Sequence, residues 1–459
     1  MRKYVEVLKK SARAKLKAFR KDQSGTIMQM AAFTVVPMLL CAGAAIDTVR
    51  VSYTHQKFAA SLDAAALAAA AADQSVSTAN LKILARKYID NNFADPDQIS
   101  ITAFDLVNTT EKVVVTGTAR VKTALMMPIM LAGVDYVDVK LSSEVVKNGS
   151  HVEVALVLDN TGSMGPNMTA LKSAAKKFID KVVSPVQTPY YSKVAIIPYS
   201  MGVNLGTRAN AARGTPTAGT NTVPGWASYT FKNSDSNANR THNISTCVSE
   251  RTGAQAYTDA SVTLFPVGRA YPPSGNPCIT AQVLPLTSNI ANLKTSIDSM
   301  SAGGSTAGQV GIAWGWYTLS PNFGLWAGES VPASYTAPKT RKVMVLMTDA
   351  EYNSGYCNGV ISGVPHYNGS GSAVDHINCA PTNGTAYVQS KALCLAMKQS
   401  GVEIYTIEFE LITTIPARVA LMNDCATDSS HRITASNAAE LTAAFEKIAG
   451  SLTSMRVSK

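Results

Sequence analysis

The residues best placed to do chemistry are Asp159, Thr161 and Ser163, in the stretch Val152-Glu-Val-Ala-Leu-Val-Leu-Asp-Asn-Thr-Gly-Ser-Met164. A short apolar run ends there in three oxygen-bearing side chains on alternate positions. In a loop after a buried strand, three such oxygens converge on one hard cation; Mg2+ takes about six oxygens near 2.1 Å. The plainer reading is an aspartate and two hydroxyls that cap the helix behind them. Two distant segments favour the cation. Gly303-Gly-Ser-Thr-Ala-Gly308 is a Gly-rich loop that brings Thr306 to the start of a helical pattern reaching Leu319, and Val343-Met-Val-Leu-Met-Thr-Asp349 is a second apolar run ending in an aspartate. In an open α/β sheet, ligands bind beyond the carboxyl ends of the strands, where Asp159 and Asp349 would both lie.

D-x-[ST]-x-S, a Gly-Ser-Thr loop and a strand ending T-D together resemble the von Willebrand factor A domain and its metal-ion-dependent adhesion site. The resemblance carries over to Asp159, Thr161, Ser163, Thr306 and Asp349, with Thr161 in place of the commoner serine and Ala350 where a glycine is frequent. It implies a bound Mg2+, or Mn2+ or Ca2+ in its stead, with one coordination position open to a partner's carboxylate.

The elements that must position these residues follow an alternating plan. Strands are expected at 152–158, 193–199, 342–348 and 402–409, with helices near 167–182, 288–300, from 306, 384–400 and from about 438 to 452. Alternation of this kind specifies a doubly wound, mostly parallel α/β sheet with helices on both faces. A stretch rich in Asn, Thr, Ser, Gly and Pro, 201–285, interrupts it. So long a structureless loop is foreign to a compact domain, which makes this an inserted subdomain. The whole head is expected over 151–454.

The chain has 459 residues and a net charge of +10. Nine Lys and Arg fall in residues 1–22 against Glu6 and Asp22, so the basic charge marks the N-terminal flank, not a nucleic-acid surface. Thr26 to Ile46 then carries no formal charge and matches the ~20 residues that cross a bilayer. Ala42-Gly43-Ala44 fits a signal-peptidase site, but the long apolar run and extended basic head favour a retained anchor. Basic residues on the N-terminal side place 1–25 in the cytoplasm, 26–46 across the inner membrane and the bulk in the periplasm. A secreted or surface-bound product is the alternative. Val51, Phe58, Leu62, Ala65, Ala69 and Ala72 continue a helical stripe beyond the membrane as a stalk over 47–76.

Lys21-Asp-Gln-Ser-Gly-Thr26, Ala45-Ile-Asp47 and Ser61-Leu-Asp-Ala-Ala-Ala-Leu-Ala-Ala-Ala70 closely resemble TadG-like proteins of the Flp (tight adherence) pilus assembly machinery. The resemblance implies a partner among pilus-machinery or surface components. Met30 stands where a prepilin site would place glutamate, which predicts no prepilin peptidase cleavage at Gly25. A small α+β module, 77–147, should follow. It comprises a helix over 80–93 capped by Thr78 or Asn80, β-type runs at 99–104, 112–121 and 137–146, and a short helix over 123–131.

Cys41 lies in the apolar run; Cys247, Cys278, Cys357, Cys379, Cys394 and Cys425 form no CxxC and no zinc spacing with histidine. An even count in an exported region points to disulfides. Six cysteines allow 15 connectivities, and pairing of sequence neighbours, 247–278, 357–379 and 394–425, is expected. An enzyme is not expected. Thr161-Gly-Ser163-Met-Gly165 lacks the first glycine of a nucleophile elbow. His366, His376, His431 and Glu410 sit in no motif that would complete a triad.

Overall fold

The computed structural model describes residues 14–15, 17–18, 24–72, 76–93, 99–109, 112–122, 136–146, 149–349, 351–363, 372–409, 416–453 and 456–458. The helix expected over 123–131, together with Ala350, His366 and Glu410, lies outside the described residues. The chain divides into two compact units, residues 1–148 with 455–459, and residues 149–454.

In the first unit α1 spans Ser24–Ala71, α2 Thr78–Asn92, β1 Ile99–Asn108, β2 Lys112–Lys122 and β3 Tyr136–Val146. The strands form an antiparallel sheet in the order β1-β2-β3, with the short strand Arg456–Ser458 added beside β3. Val113, Val115, Ala119 and Val121 of β2 are buried on alternate positions, so this sheet has one covered face. Phe58, Leu62, Ala65 and Ala69 of α1 and Leu81, Ala85 and Ile89 of α2 cover it. Gly117 permits the close approach, since a Cβ there would lie 2.6 Å from Cζ of Phe58. Ser77, not Thr78 or Asn80, caps α2; its hydroxyl accepts the Asn80 N–H at 3.3 Å. The N-terminal half of α1 is different. Met30, Phe33, Met38 and Leu39 are exposed, and Met30–Ala71 is long and apolar enough to cross a membrane.

The second unit is built on β4 (His151–Asp159), α3 (Met168–Val182) and β5 (Ser192–Tyr199), followed by the insertion. The insertion carries β6 (Val203–Asn204), α4 (Ala209–Arg213), β7 (Thr217–Asn221), β8 (Trp226–Lys232), β9 (Asn239–Asn243), β10 (Cys247–Ser249) and β11 (Gly268–Arg269). Then come β12 (Leu284–Thr287), α5 (Ile290–Asp298), α6 (Gly308–Leu319), β13 (Thr340–Thr348), the hairpin β14 (Tyr356–Cys357) and β15 (Val360–Ile361), α7 (Ala386–Gln399), β16 (Glu403–Phe409), α8 (Pro416–Cys425), β17 (Arg432–Ala435) and α9 (Ala438–Thr453). The central sheet runs β12-β5-β4-β13-β16-β17, parallel throughout except for the antiparallel edge strand β12. This is the α/β class expected from the alternating pattern, with β12, α8 and β17 added. Helices α3, α5 and α9 cover one face and α6, α7 and α8 the other. Both faces of β4 and β13 are therefore buried, which is why each reads as an unbroken apolar run.

The insertion makes two three-stranded sheets, β7-β8-β9 and β11-β10-β6. Its apolar residues Met201, Val203, Leu205, Val248, Val262 and Val267 join the core on the α6 face. Disulfides link Cys247 to Cys278, Cys357 to Cys379 and Cys394 to Cys425. Buried charges inside the head are mostly paired. Glu153 on β4 faces Lys342 on β13 at 2.5 Å, and Glu408 holds Arg418 and Arg432 at 3.1 and 2.7 Å.

Glycine lines the inner face of helix α6 and lets neighbouring side chains press against its backbone. A Cβ at Gly308 would strike the Tyr352 ring at 2.0 Å, at Gly311 the Tyr199 ring at 2.7 Å, and at Gly315 the Val157 Cγ2 at 2.6 Å. Gly315→Val is expected to cost roughly 1–3 kcal/mol by overpacking, read as an earlier midpoint in denaturant melts.

Glu250 is an exception among the buried charges. Its Oε1 accepts the Tyr356 N–H at 2.9 Å and the Gln389 Nε2 at 3.3 Å, while Oε2 has no partner among the described residues. Burial pushes its carboxyl up to about 7 from an ordinary 4.5. Between those values the folded chain holds a proton that the unfolded chain has released. Stability from this group is therefore complete below 4.5 and falls as pH rises to about 7. In Glu250→Gln the melting temperature should lose that downward slope over the same interval.

Candidate metal centre

Parallel pairing of β4 with β13 sets the ends of the two strands side by side, Leu158 opposite Met347, so Asp159 and Asp349 emerge from neighbouring strands at one rim of the sheet. Chain reversal after β4 is a 3-10 turn, Gly162–Asn167, that leads into α3. Thr161 precedes this turn and makes no capping hydrogen bond to it, and neither does Asn167 to α3. The oxygen atoms of this loop therefore serve something other than helix capping.

They serve one another. Asp159 is fully buried. Its Oδ1 accepts the Thr161 N–H at 2.9 Å and the Thr161 hydroxyl at 2.6 Å; its Oδ2 accepts the Thr348 hydroxyl at 2.7 Å and the Tyr199 hydroxyl at 3.1 Å. Thr161 Oγ1 lies 2.9 Å from Ser163 Oγ, and the Ser163 hydroxyl donates to Asp349 Oδ1 at 2.8 Å. Asp159, Thr161 and Thr306 are buried, Ser163 is exposed and Asp349 partly so. The cluster thus opens to solvent on the Ser163 and Asp349 side.

Proton bookkeeping tests whether these residues suit a cation. The chain Asp159–Thr161–Ser163–Asp349 contains three short oxygen–oxygen contacts, but each of its two hydroxyls has one proton to donate. With Thr161 donating to Asp159 and Ser163 to Asp349, the contact between the hydroxyls sets lone pair against lone pair. An extra proton or a positive ion relieves it. Asp159 has no Lys or Arg ion-pair partner among the described residues, and burial drives its carboxyl pKa upward against the opposing hydrogen bonds of Thr161, Thr348 and Tyr199. A carboxylate and hydroxyls of this kind form a hard-oxygen donor set that fits Mg2+. Among the described residues, no three His, Cys, Asp or Glu side chains gather to hold a metal.

Thr306 reaches the rim by backbone contacts. The Gly303 N–H donates to the Asn160 carbonyl at 3.0 Å, the Gly162 N–H to the Gly304 carbonyl at 3.0 Å, and the Ala307 N–H to the Ser200 carbonyl at 2.8 Å. Gly304 has φ +79°, and a Cβ there would lie 2.7 Å from Asn276 Oδ1, so only glycine fits this turn. Asn353 then clamps Thr306 from the far side: its Oδ1 accepts the Thr306 N–H at 2.9 Å and its own N–H donates to the Thr306 carbonyl at 3.0 Å. The Thr306 hydroxyl makes no hydrogen bond to Asp159, Thr161 or Ser163, so four of the five expected residues form the hydrogen-bonded chain and the fifth stands beside it.

Sequence reasoning missed several supporting residues. Tyr199 and Thr348 bind the second oxygen of Asp159. Arg418, on α8, donates to the Asp349 carbonyl at 2.8 Å while Glu408 holds its Nε. Thr348 was visible as the residue before Asp349; nothing local marked Tyr199 or Arg418. Ser163 has Thr161 and Asp349 as its partners and no histidine among the described residues. His431 is engaged by Asp428 at 2.8 Å.

The head is a mostly parallel α/β domain with a large insertion between β5 and β12. The chain is similar to a solved structure of the pilus adhesin SpaC from Lactobacillus rhamnosus GG (14% identity, TM-score 0.34), covering 79% of this chain and 35% of that one. It is also similar to the vWF domain of the type V pili tip protein Mfa5 from Porphyromonas gingivalis (13%, 0.36), covering 66% of this chain and 95% of that one. A third is proximal thread matrix protein 1 from the mussel byssus with a zinc-occupied MIDAS motif (13%, 0.31), covering 69% and 50%. The chain therefore spans about a third of SpaC and half of the mussel protein. No curated relative matches it. At the other end, residues 25–72 match the family model described as Flp pilus-assembly TadE/G-like, the segment where the TadG-like resemblance begins.

The raised pKa of Asp159 means that the folded protein resists its charge, so above the ordinary value of 3.8 the carboxylate weighs against folding when no cation is present. Asp159→Asn is expected to raise the metal-free melting temperature at neutral pH. Millimolar Mg2+ should raise that of the unaltered protein and leave the variant unmoved, as followed by scanning fluorimetry.

Proposed function

We propose that this chain is a membrane-anchored, exported component of a Flp/Tad-type pilus assembly system whose head captures a protein partner through a metal-ion-dependent adhesion site. In this reading residues 1–25 stay in the cytoplasm, 26–46 cross the inner membrane, 47–76 form a stalk and 77–147 a spacer module. The head, 151–454, then works in the periplasm. The TadE/G-like match over 25–72 and the long apolar helix support the anchor.

The observation that carries the binding reading is the buried, uncompensated Asp159 carboxylate within a lone-pair-rich chain of hydroxyls. Asp159, Thr161, Ser163, Thr306 and Asp349 would hold the ion. When bound, a divalent cation supplies the missing positive charge and an open position suited to an Asp or Glu carboxylate of the partner. Tyr199 and Thr348 orient Asp159, and Arg418 fixes the main chain at Asp349. The solvent-facing Ser163 and Asp349 mark the side of approach. Binding, not bond-making, is the task this site is built for.

A scaffold role is the second reading, and the Thr306 hydroxyl standing outside the hydrogen-bonded chain favours it. Calorimetric titration of Mg2+ and Mn2+ into the detergent-solubilised full chain separates the two. Capture predicts saturable binding that weakens in Ser163→Ala and is lost in Asp159→Ala, together with pilus-dependent adherence. A folded chain that binds neither ion, or an Asp159→Ala strain that assembles pili and adheres normally, leaves the head as scaffold.

A further inference from the structure

We propose that Arg213 and Arg269, in the insertion, form a binding site for an oxyanion. Arg213 ends helix α4 and is 4% exposed. Its Nη1 donates to the Ser245 carbonyl and its Nη2 to Asn210 Oδ1 at 3.2 Å, which leaves Nε buried and without a partner among the described residues. Arg269, on β11, is partly exposed. Its buried Nε has no partner, and its guanidinium makes no hydrogen bond or ion pair with any described residue. Arg269 Nη2 lies 3.4 Å from where a Cβ of Gly214, the residue after Arg213, would stand, and after burial its charge lowers the pKa of Arg213.

The surroundings resemble a prepared cradle. Gly214 and Gly225 have φ of +82° and +114°, and Cβ atoms there would lie 3.4 Å from Arg269 Nη2 and 3.8 Å from Arg269 Cζ. The Arg269 guanidinium thus lies across bare backbone. That floor is fixed, because the Gly225 N–H donates to the Tyr271 hydroxyl at 2.8 Å and that hydroxyl donates to the Trp226 carbonyl at 3.0 Å. Pairing of Arg269 with Val248 in the β11-β10 ladder, beside the Cys247–Cys278 disulfide, holds the second arginine in place. Gly214, Gly225, Trp226 and Arg269 are all partly exposed and form the mouth.

Arginine stays charged at any physiological pH, so neither guanidinium can shed its charge by losing a proton. Carboxylate partners relieve it elsewhere in this head, as Glu408 does for Arg418 and Arg432. No carboxylate among the described residues pairs with Arg213 or Arg269. Free Nε–H and Nη–H groups in a fork suit the oxygens of a carboxylate, phosphate or sulfate, which accept two charge-assisted hydrogen bonds at once.

The test is titration of inorganic phosphate, sulfate and a hexaglutamate peptide into the detergent-solubilised full chain at constant ionic strength, followed by tryptophan fluorescence and calorimetry. Arg269→Gln is the informative variant, because this side chain makes no structural hydrogen bond; circular dichroism checks its fold. The exposed Arg240→Gln controls for general charge. Saturable binding that weakens about tenfold or more in Arg269→Gln and is unchanged in Arg240→Gln supports the site. Competition by the peptide then assigns the oxyanion to an acidic partner, and its failure to compete assigns it to a free ion. Absence of binding by all three probes, or equal losses in both variants, overturns the proposal.

Discussion

A carboxylate placed in the interior of a protein without a cation must be neutralised or solvated by something else, and the end of strand β4 is organised around that requirement. Asp159 is fully buried, it terminates a strand covered on both faces, and four neutral donors converge on its two oxygens. Each donor comes from an element whose position depends on the sheet: Thr161 from the loop it opens, Tyr199 from the end of β5 and Thr348 from the end of β13. The parallel register that puts Asp159 beside Tyr199 and Leu158 beside Met347 is therefore what brings these groups to one carboxylate. Had either strand slipped by one residue, the side chains would face opposite sides of the sheet.

Packing of α6 is a second consequence of the same constraint. The loop that carries Thr306 can reach the rim only if the helix behind it lies close to the strands. Gly308, Gly311 and Gly315 supply that closeness against Tyr352, Tyr199 and Val157. Tyr199 is therefore used twice, with its ring packed beneath Gly311 and its hydroxyl on Asp159. On the other side, Arg418 reaches from α8 to the Asp349 carbonyl, and the Cys394–Cys425 disulfide ties α8 to α7. The rim is fixed through main-chain atoms at Thr306 and Asp349, while the Asp349 carboxylate takes the Ser163 hydroxyl.

Much of this was legible in the sequence, for definite reasons. Strands β4 and β13 are covered on both faces and so leave unbroken apolar runs that end sharply in polar residues. The spacing of Asp159, Thr161 and Ser163 is local, and a one-residue alternation survives in any reading of the chain. Contacts set by tertiary register were not legible: nothing near Tyr199 or Arg418 announces a hydrogen bond to a loop 40 or 69 residues away. Ser77 displaced the expected caps of α2 because one position of shift costs little in composition and decides the hydrogen bond. The insertion was opaque because its strands are short, and β7 and β9 are largely exposed, so no burial period is written into them.

Burial of charge is met in several ways in this head; Arg251, for one, is held by the Thr258 and Ala260 carbonyls and the Tyr317 and Phe323 rings. Glu153 with Lys342, and Glu408 with Arg418 and Arg432, resolve the problem by pairing; such groups hold strands and helices together and ask for nothing from outside. Glu250 resolves it by keeping a proton, which an acid can do. Asp159 has the same escape, yet its neighbours are hydroxyls that accept as well as donate, and the cluster opens to solvent; a proton satisfies the charge, but a cation satisfies the charge and the surplus lone pairs together. Arg213 and Arg269 have no escape by titration, and their mouth is also open. Where a buried charge can neither pair internally nor titrate away, and its site opens to solvent, the remaining way to lower its energy is a counter-ion from solution. Arg213 and Arg269 meet this description; Asp159 can take a proton instead, but only a cation also satisfies its surplus lone pairs, so the two sites call for counter-ions of opposite sign.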